Sequence, residues 1–464
     1  MKKTGLFKII MFVILGILVV TWLVPASYFN AGELSDLGMY RIGFFDFFQL
    51  LFGTFQFSYF LQIFILLVCI GAFYGVLSKT GKYRAYLERV ASKFKGKEVV
   101  FLLVVSFLIA AITATLDFGL SMFIFIPAII SIILLMGYDK VTALVATFGS
   151  MLVGTIGAVI SSRIVGTINE QLTDVTLKTG LYYKLGLFVG ALAVLFYFLA
   201  TAKKAKGAAA KEEKTDIFLG EKVSNKCPVW PILLVFGLLF VVMVLGCTAW
   251  SKTFGVEVFA NFNTAVTEFT IKDVTIFAYI LGTVSAFGEW AYAEMAVMCL
   301  LASVLIGKIY KLKFSEVFAN MAEGAKKLLG PACLVMLTYA VVYFAGNTMS
   351  YPTIAGWLLG LTKKFNLFFS SLSMILGSAL HVDMLYVANY VIPQLAYENN
   401  QMVVGLLIQS LYGLTMFAVP TSSLLVLGLS YLGVSYKEWI KSSWKLILEL
   451  FVVVLIVLIL AFVL

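Results

Sequence analysis

The sequence predicts an all-α polytopic membrane protein made of two inverted-topology repeats, each with a re-entrant helical hairpin and a broken transmembrane helix. Three observations carry that expectation. Of 464 residues, 62% are hydrophobic and only 12% charged, whereas a soluble domain is about a quarter charged. Many apolar runs reach the roughly 20 residues that span a bilayer as helix, and they are continuous rather than alternating as barrel strands would be. Finally, two isolated acids, Asp117 and Asp383, sit in apolar runs, each followed ten residues on by a proline, Pro127 and Pro393.

In chain order, "MKKTGLFKIIMFVILGILVVTWLVP" is long for a secretory signal and lacks a small-x-small cleavage site, so it reads as a retained first span. Spans follow at about 57–79, 141–162, 182–202, 229–250, 290–306, 329–347, 403–433 and 443–463. Segments 98–136 and 366–398 are each long enough for two short helices. Stretches near 43–54 and 273–287 read as interfacial, and "GKYRAYLERVASKFKGK" as an amphipathic surface helix. With the N-terminus inside, each span crossing once and each long segment returning to its own side, inside loops hold 26 of the 34 Lys and Arg. That is the asymmetry of cytoplasmic loops. The net charge of +10 is thereby explained without nucleic acid. The expected location is the inner (plasma) membrane, N-terminus cytoplasmic and C-terminus outside.

The organisation expected is a first repeat over 1–202, with its hairpin at about 98–136 and broken helix at about 141–166. A cytoplasmic linker with no fold of its own follows at 203–228. The second repeat covers 229–464, with its hairpin at about 366–398 and broken helix at about 403–433. Asp117 and Pro127 map onto Asp383 and Pro393 at one offset. "GAVISSR" (157–163) and "FAVPTSS" (417–423) match at a second offset, which also relates Thr155 to Thr415. On the charge map the first hairpin opens from the cytoplasm and the second from outside. Inverted repeats with interrupted helices mark secondary transporters, whose site lies near the midplane between the repeats.

An ionised carboxylate in hydrocarbon costs several kcal/mol, about 2.5–3.5 by insertion measurements, so Asp117 and Asp383 are expected to face a polar cavity. There they would hold a cationic group of the substrate, a proton or Na⁺. Thr113 and Thr115 near the first tip, and Ser161, Ser162, Thr421 and Ser422 after the breaks, offer hydroxyls for carboxylate or amino groups. Gly154, Gly157 and Pro420 are expected to interrupt the helices. His381, the only histidine, is a further proton-coupling candidate. Arg163 is expected in an outer loop, with contact to a substrate carboxylate as the alternative. Glu294 is expected at the interface. Tyr343, Asn347 and Tyr386 lie near the expected cavity. The cysteines are scattered singly, with no metal spacing. P-loop, HExxH and Ser/His/Asp patterns are missing, which argues against ATP-driven transport and catalysis. No cofactor or metal is expected beyond a coupling Na⁺ or proton.

At "VPTSSLLVLGLSYLGVSYKEWIKSSWKLIL", "MAEGAKKLLGPACLV", "TWLVPASYF", "GAFYGVLSKTGKY" and "IPAIISIILLMGYDKVTALVATF" the chain resembles the YfcC-like branch of the C4-dicarboxylate anaerobic carrier (DcuC-like) family. The likeness spans most of the chain. It implies membership of the ion transporter superfamily, a homodimer with scaffold and moving domains, and small organic substrates. Those substrates are C4-dicarboxylates in one branch and amino acids, often basic, in the other. The chain departs from the related pattern at "TLDFG", "LHVDM" and the "RI" after the first broken helix, all at the expected site. The function expected is a secondary transporter or exchanger of a small organic solute, foremost an amino acid. The alternatives are a proton- or Na⁺-coupled organic-anion carrier and, from another class, a non-transporting scaffold or receptor.

Overall fold

The structure is a computed structural model that describes residues 2–30, 33–173, 175–204, 216–220, 228–282, 284–362, 365–396 and 400–464. Among these residues nine helices are long and apolar enough to cross a membrane. They are Gly5–Leu23, Ser58–Lys79, Glu98–Thr115, Leu181–Ala200, Trp230–Cys247, Tyr292–Ile309, Phe314–Thr348, Gln401–Leu432 and Tyr436–Val463. Paired strands among the described residues are two short antiparallel ribbons, Ala26–Asn30 with Glu33–Gly38 and Thr270–Ile271 with Val274–Thr275. The all-α polytopic fold expected from composition is the fold observed. The stretch near 43–54 is a helix, Phe44–Gln56, that buries Phe47 and Thr54 and leaves Phe44, Phe45, Phe48 and Phe52 exposed.

The helices fall into two packed groups. In one, Ser58–Lys79 lies against Tyr292–Ile309 and against the long helix Phe314–Thr348. Glycines set that contact: a Cβ on Gly75 would sit 2.2 Å from the Asn320 carbonyl oxygen, and one on Gly324 2.2 Å from that of Gly71. Small residues let helix backbones approach where lipid gives no hydrophobic drive. The other group joins Glu98–Thr115, Ser150–Ile156, Leu181–Ala200, Leu367–Leu380, Gln401–Ala418 and Tyr436–Val463.

The same order of elements leads into each hairpin. Ser58–Lys79 is followed by left-handed Gly81 and the short helix Lys82–Lys93. The long helix is followed by left-handed Met349 and the short helix Ser350–Leu359. The first hairpin is Glu98–Thr115, a 3₁₀ turn at Gly119–Ile124, and Ile126–Leu135. The second is Leu367–Leu380, Met384–Tyr390 and Ile392–Leu395. Pro127 and Pro393 each stand in the first turn of a returning helix, where a missing N–H costs nothing. The last two residues of the expected second hairpin, 397–398, lie outside the described residues.

The broken helices end where their freed backbone groups find partners. The first runs Lys140–Leu144, a π turn at Val145–Gly149, and Ser150–Ile156, and resumes at Ser162–Gly166 and Thr167–Gln171. At its break, Gln409 Nε2 donates to the carbonyls of Ile156 (3.1 Å) and Ala158 (2.7 Å), and the Val159 amide donates to the Ala114 carbonyl (2.7 Å). The second runs Gln401–Ala418 and resumes at Ser423–Leu432, with Pro420 in the gap. There Thr421 Oγ1 donates to the Ala379 carbonyl (2.8 Å), Trp439 Nε1 to that of Phe417 (3.0 Å), and the Tyr436 hydroxyl to that of Ala418. Irregular backbone inside a membrane protein requires such partners.

Gly154 is not at a break. It lies within Ser150–Ile156, where a Cβ would stand 2.5 Å from the Ala110 carbonyl oxygen, so it serves close packing on the first hairpin. Gly157 does sit at the break, with room for no side chain against Phe188, whose Cα would be 2.3 Å from a Cβ.

The expected linker at 203–228 lies largely outside the described residues. What is described of it is not a free connector. Lys204 pairs with Glu98 at 2.8 Å, and Asp216–Gly220 is seated among the helices.

Candidate functional site

The two hairpin tips meet at one small cavity. It is lined by Asp117, Gly119, Arg163, Tyr292, Tyr339, Asp383, Tyr412, Ser422 and Ser423, among others. Its volume of about 40 Å³ admits about three waters at 10–15 Å³ each. An amino acid or dicarboxylate needs more space than this.

Asp117 and Asp383 are both buried, 6% and 4% exposed. Asp117 takes a left-handed backbone, φ +51°, which short polar side chains tolerate. Its Oδ1 accepts the Gly119 amide at 3.1 Å. Asp383 is the N-cap of Met384–Tyr390, its Oδ1 accepting the Leu385 amide at 3.1 Å. Its Oδ2 accepts two phenolic hydroxyls, from Tyr59 at 2.9 Å and Tyr339 at 3.1 Å.

Arg163 lies between the acids. Its Nε is 3.9 Å from Asp117 Oδ2 and its Nη2 is 3.9 Å from Asp383 Oδ2. Nη1 donates to the Tyr292 hydroxyl at 2.7 Å. These ion pairs are longer than the charge-assisted hydrogen bonds Arg makes with a carboxylate, about 2.7–2.9 Å. Gly119 makes room for this arrangement: with φ +53°, a Cβ there would stand 2.8 Å from the Tyr292 hydroxyl and 2.9 Å from Arg163 Nη1. The outer-loop expectation for Arg163 is therefore corrected. The turn after the first break, Ser162–Gly166, carries its side chain back to the tips.

The other expected residues divide. Ser422 lines the cavity and also caps its helix, its Oγ accepting the Leu425 amide at 3.4 Å. Ser161 Oγ does the same for the Ile164 amide, at 3.2 Å, but is not among the lining residues, nor is Ser162. Thr113 and Thr115 spend their hydroxyls on carbonyls of their own helix, Ile109 (3.0 Å) and Ala111 (2.7 Å), and are not at the cavity wall. Thr421 ties the second break to the second hairpin, as above. His381 lies behind its tip, Nδ1 3.2 Å from the Gly377 carbonyl oxygen and its ring stacked on Tyr390 at 5.0 Å. Glu294 accepts the Ala291 amide at the start of its helix, at 2.9 Å. Among the three polar residues placed near the cavity by sequence, Asn347 Nδ2 donates to the Tyr343 backbone carbonyl at 2.7 Å and Tyr386 packs on Phe60.

Sequence reasoning missed the tyrosines. Tyr59 starts the Ser58–Lys79 helix, Tyr292 starts Tyr292–Ile309, and Tyr339 stands one turn before Tyr343 on the long helix. All three belong to one helix group and face acids and an arginine carried by the other. Tyr412, from the second broken helix, lines the cavity and donates to the Val382 carbonyl at 3.0 Å, tying the second tip to that helix. Phenols inside apolar helices were the available signal, but 22 tyrosines in the chain hid which ones mattered.

Comparison with known proteins gives three likenesses. Residues 4–463 match the family model described as C4-dicarboxylate anaerobic carrier (DcuC). An uncharacterized protein of Haemophilus influenzae is 21% identical over 310 residues, covering 64% of this chain and 53% of that protein. The chain thus spans about half the length of that relative. The crystal structure of the YdaH transporter from Alcanivorax borkumensis aligns over 98% of this chain and 97% of its own, at 13% identity and a TM-score of 0.41; no detail follows from so loose a likeness.

Proposed function

This chain belongs to the C4-dicarboxylate anaerobic carrier family, and we propose that it is a secondary active carrier or exchanger of an amino acid, a basic one fitting best, working by alternating access. That it is a membrane transporter is the family's part of the statement. The amino-acid part rests on one observation: a single guanidinium held between two buried carboxylates, 3.9 Å from each.

The charges of that triad sum to −1. A basic amino acid presents the complementary set, one carboxylate and two cationic groups. Its carboxylate takes the fork of Arg163, a bidentate partner for that shape, and the first-turn amides after Ser422 add donors at the positive end of a helix. Its α-amino group meets Asp117 and its side-chain cation meets Asp383. The 3.9 Å separations suit this exchange of partners, because the resting pairs are not fully closed. A neutral amino acid leaves one carboxylate without a cation.

A C4-dicarboxylate is the second reading, favoured by the family's description. It brings two negative charges to a site that already carries −1. It requires that protons or Na⁺ neutralise Asp117 and Asp383 as it binds. This reading therefore demands an ion gradient or a counter-ion, whereas a basic amino acid does not. The sidedness proposed keeps the basic loops and N-terminus cytoplasmic and the C-terminus outside, on the charge asymmetry described above.

Uptake into proteoliposomes separates these readings. Labelled arginine, ornithine, a neutral amino acid and succinate are offered, first as counterflow with no ion gradient and then with imposed H⁺ or Na⁺ gradients. Saturable counterflow of arginine or ornithine without a gradient is expected. Uptake of succinate alone, strictly dependent on a gradient, overturns the amino-acid reading in favour of the second.

A further inference from the structure

The segment Asp216–Gly220 lies between the two halves of the chain, beside Lys327 and Arg84, and buries Phe218 and Leu219 while leaving Ile217 exposed. Phe218 is fully buried. Its ring is 5.3 Å from that of Tyr74 and stacked on Tyr431 at 6.3 Å, with the Lys327 ammonium 5.5 Å above it. Lys327 Nζ donates to the Ile217 carbonyl at 3.1 Å and Arg84 Nη1 to the Gly220 carbonyl at 3.0 Å. The Asp216 carboxylate accepts the Tyr431 hydroxyl at 2.6 Å and the Ser131 hydroxyl. Gly220 has φ +70°, and a Cβ there would stand 2.4 Å from the Ser78 carbonyl oxygen, so the backbone itself fills the groove.

The anchors belong to different elements, which also touch directly: the Tyr74 hydroxyl donates to the Ile124 carbonyl at 2.8 Å, and Ser423–Leu432 packs on the long helix. Tyr74 is on Ser58–Lys79 and Lys327 on the long helix, the group that supplies the tyrosine wall. Ser131 is on the returning leg of the first hairpin and Tyr431 on the resumed half of the second broken helix, the elements that carry Asp117 and Ser422. Five consecutive residues thus clamp the acid-bearing elements to the tyrosine-bearing helices at a distance from the cavity. The cavity between those same elements holds about three waters, and a shift of these elements relative to each other would enlarge it.

We propose that Asp216–Gly220 is an autoinhibitory strap: seated, it holds the closed arrangement of tips and tyrosines, and it must leave its groove, or lose its grip on one body, for the site to open. The proposal rests on the transporter reading for its consequence, but not on which solute is carried. The occupant of the groove is part of this chain, so the lock is built in and needs no partner to set it.

The test uses the full chain in detergent or nanodiscs and needs no substrate. Amide hydrogen exchange is followed at the first tip (Asp117–Ile124) and at the start of Ser423–Leu432. Phe218→Ala removes the buried ring, and Lys327→Met removes only the clamp over it. Removal of a buried aromatic side chain is costly enough that exchange at both sites is expected to speed by about tenfold or more through local opening, with the unfolding temperature of Lys327→Met close to that of the parent. If Phe218→Ala does not fold, Lys327→Met decides. Unchanged exchange at both sites in the variants that fold overturns the proposal.

A second arm replaces Phe218 with a photo-reactive phenylalanine that couples to the groove on irradiation. Uptake of whichever solute the unmodified protein carries is expected to fall in proportion to coupling. Full uptake by the coupled protein overturns the lock while leaving the substrate reading standing. A protein that carries none of the offered solutes counts against the substrate reading alone, since hydrogen exchange still decides the strap.

Discussion

The two hairpin tips carry the same residue type, and the fold satisfies them differently. Asp383 has a backbone amide on one oxygen and two tyrosine hydroxyls on the other. Asp117 has one backbone amide and a long pair to Arg163. The hydroxyls on Asp383 come from helices of the other packed group, so Asp383 is a joint between bodies as well as a charge. Asp117 keeps lone pairs free and faces the cavity with a left-handed backbone. The contrast fits two proposed jobs that look alike in sequence: Asp117 receiving a ligand, and Asp383 coupling the second tip to the tyrosine wall.

The largest expected effect removes what both tips share. Arg163→Ala leaves two buried carboxylates facing each other. Breaking a buried pair in this way costs about 3–5 kcal/mol, so counterflow should fall by about 100-fold or more at 1.4 kcal/mol per decade. Arg163→Lys keeps the charge without the fork and should recover only part of it. Counterflow within about threefold of the parent in Arg163→Ala, a change of well under one decade, removes Arg163 from the site.

Next comes the contrast itself. Asp117→Asn should raise KM by roughly 10–100-fold, the value of a hydrogen bond to a charged group, and leave the unfolding temperature nearly unchanged. Asp383→Asn should lower both transport and the unfolding temperature, because an amide NH2 in place of Oδ2 cannot accept the two phenolic hydroxyls. Uptake kinetics and thermal unfolding of the two variants are compared side by side. Equal behaviour in both measurements breaks the distinction, and normal transport in both sinks the site.

Smaller effects sharpen it. Tyr59→Phe and Tyr339→Phe each delete one of three donors on Asp383, at the low end of the roughly 1.5–3 kcal/mol of a hydrogen bond to a charged group because two donors remain, and should slow maximal transport about tenfold while KM stays close to the parent's. Tyr292→Phe acts through Arg163 and should change KM instead. A double-mutant cycle between Tyr59→Phe and Asp383→Asn should show that the tyrosine deletion has no further effect once the carboxylate is gone.

The smallest effect is read at the strap. Burial raises the Asp216 carboxyl above its ordinary value, and the hydroxyls of Ser131 and Tyr431 offset this only in part. Tyr74, Tyr83 and Tyr431 surround it, and Lys327 and Arg84 hold neighbouring carbonyls. The seated strap therefore binds a proton more tightly than the released one. Its hold is full below the ordinary carboxylate pKa, about 3.9, and weakens as pH rises through the raised value. Tip amides, corrected for intrinsic exchange, should open more readily at higher pH, and Asp216→Asn should remove that dependence. A pH slope that persists in Asp216→Asn assigns the effect elsewhere.

Much of this was legible without coordinates. The Asp117/Asp383 pair stood out because a lone acid in an apolar run is costly, and the breaks stood out because Gly, Pro, Ser and Thr interrupt apolar sequence. Arg163 was misplaced because a cation at the end of a span is, by charge alone, a loop residue. The threonines at the first tip were overread, since a hydroxyl in a helix can return its proton to a carbonyl one turn back, as Thr113 and Thr115 do. Gly154 was read as a break because sequence does not distinguish a glycine that ends a helix from one that lets another helix close.

The sequence by itself determined the class of protein and which residues were too polar for their surroundings. Both follow from the cost of moving groups out of water, which each residue carries locally. Only the tertiary structure decided which helices face each other across the cavity. It brought Tyr59, Tyr292 and Tyr339 to the acids, turned Arg163 inward and seated Phe218 between Tyr74 and Tyr431. Those pairings join residues up to 324 positions apart, and they arise from packing between helices, which no local pattern of apolar and polar residues encodes.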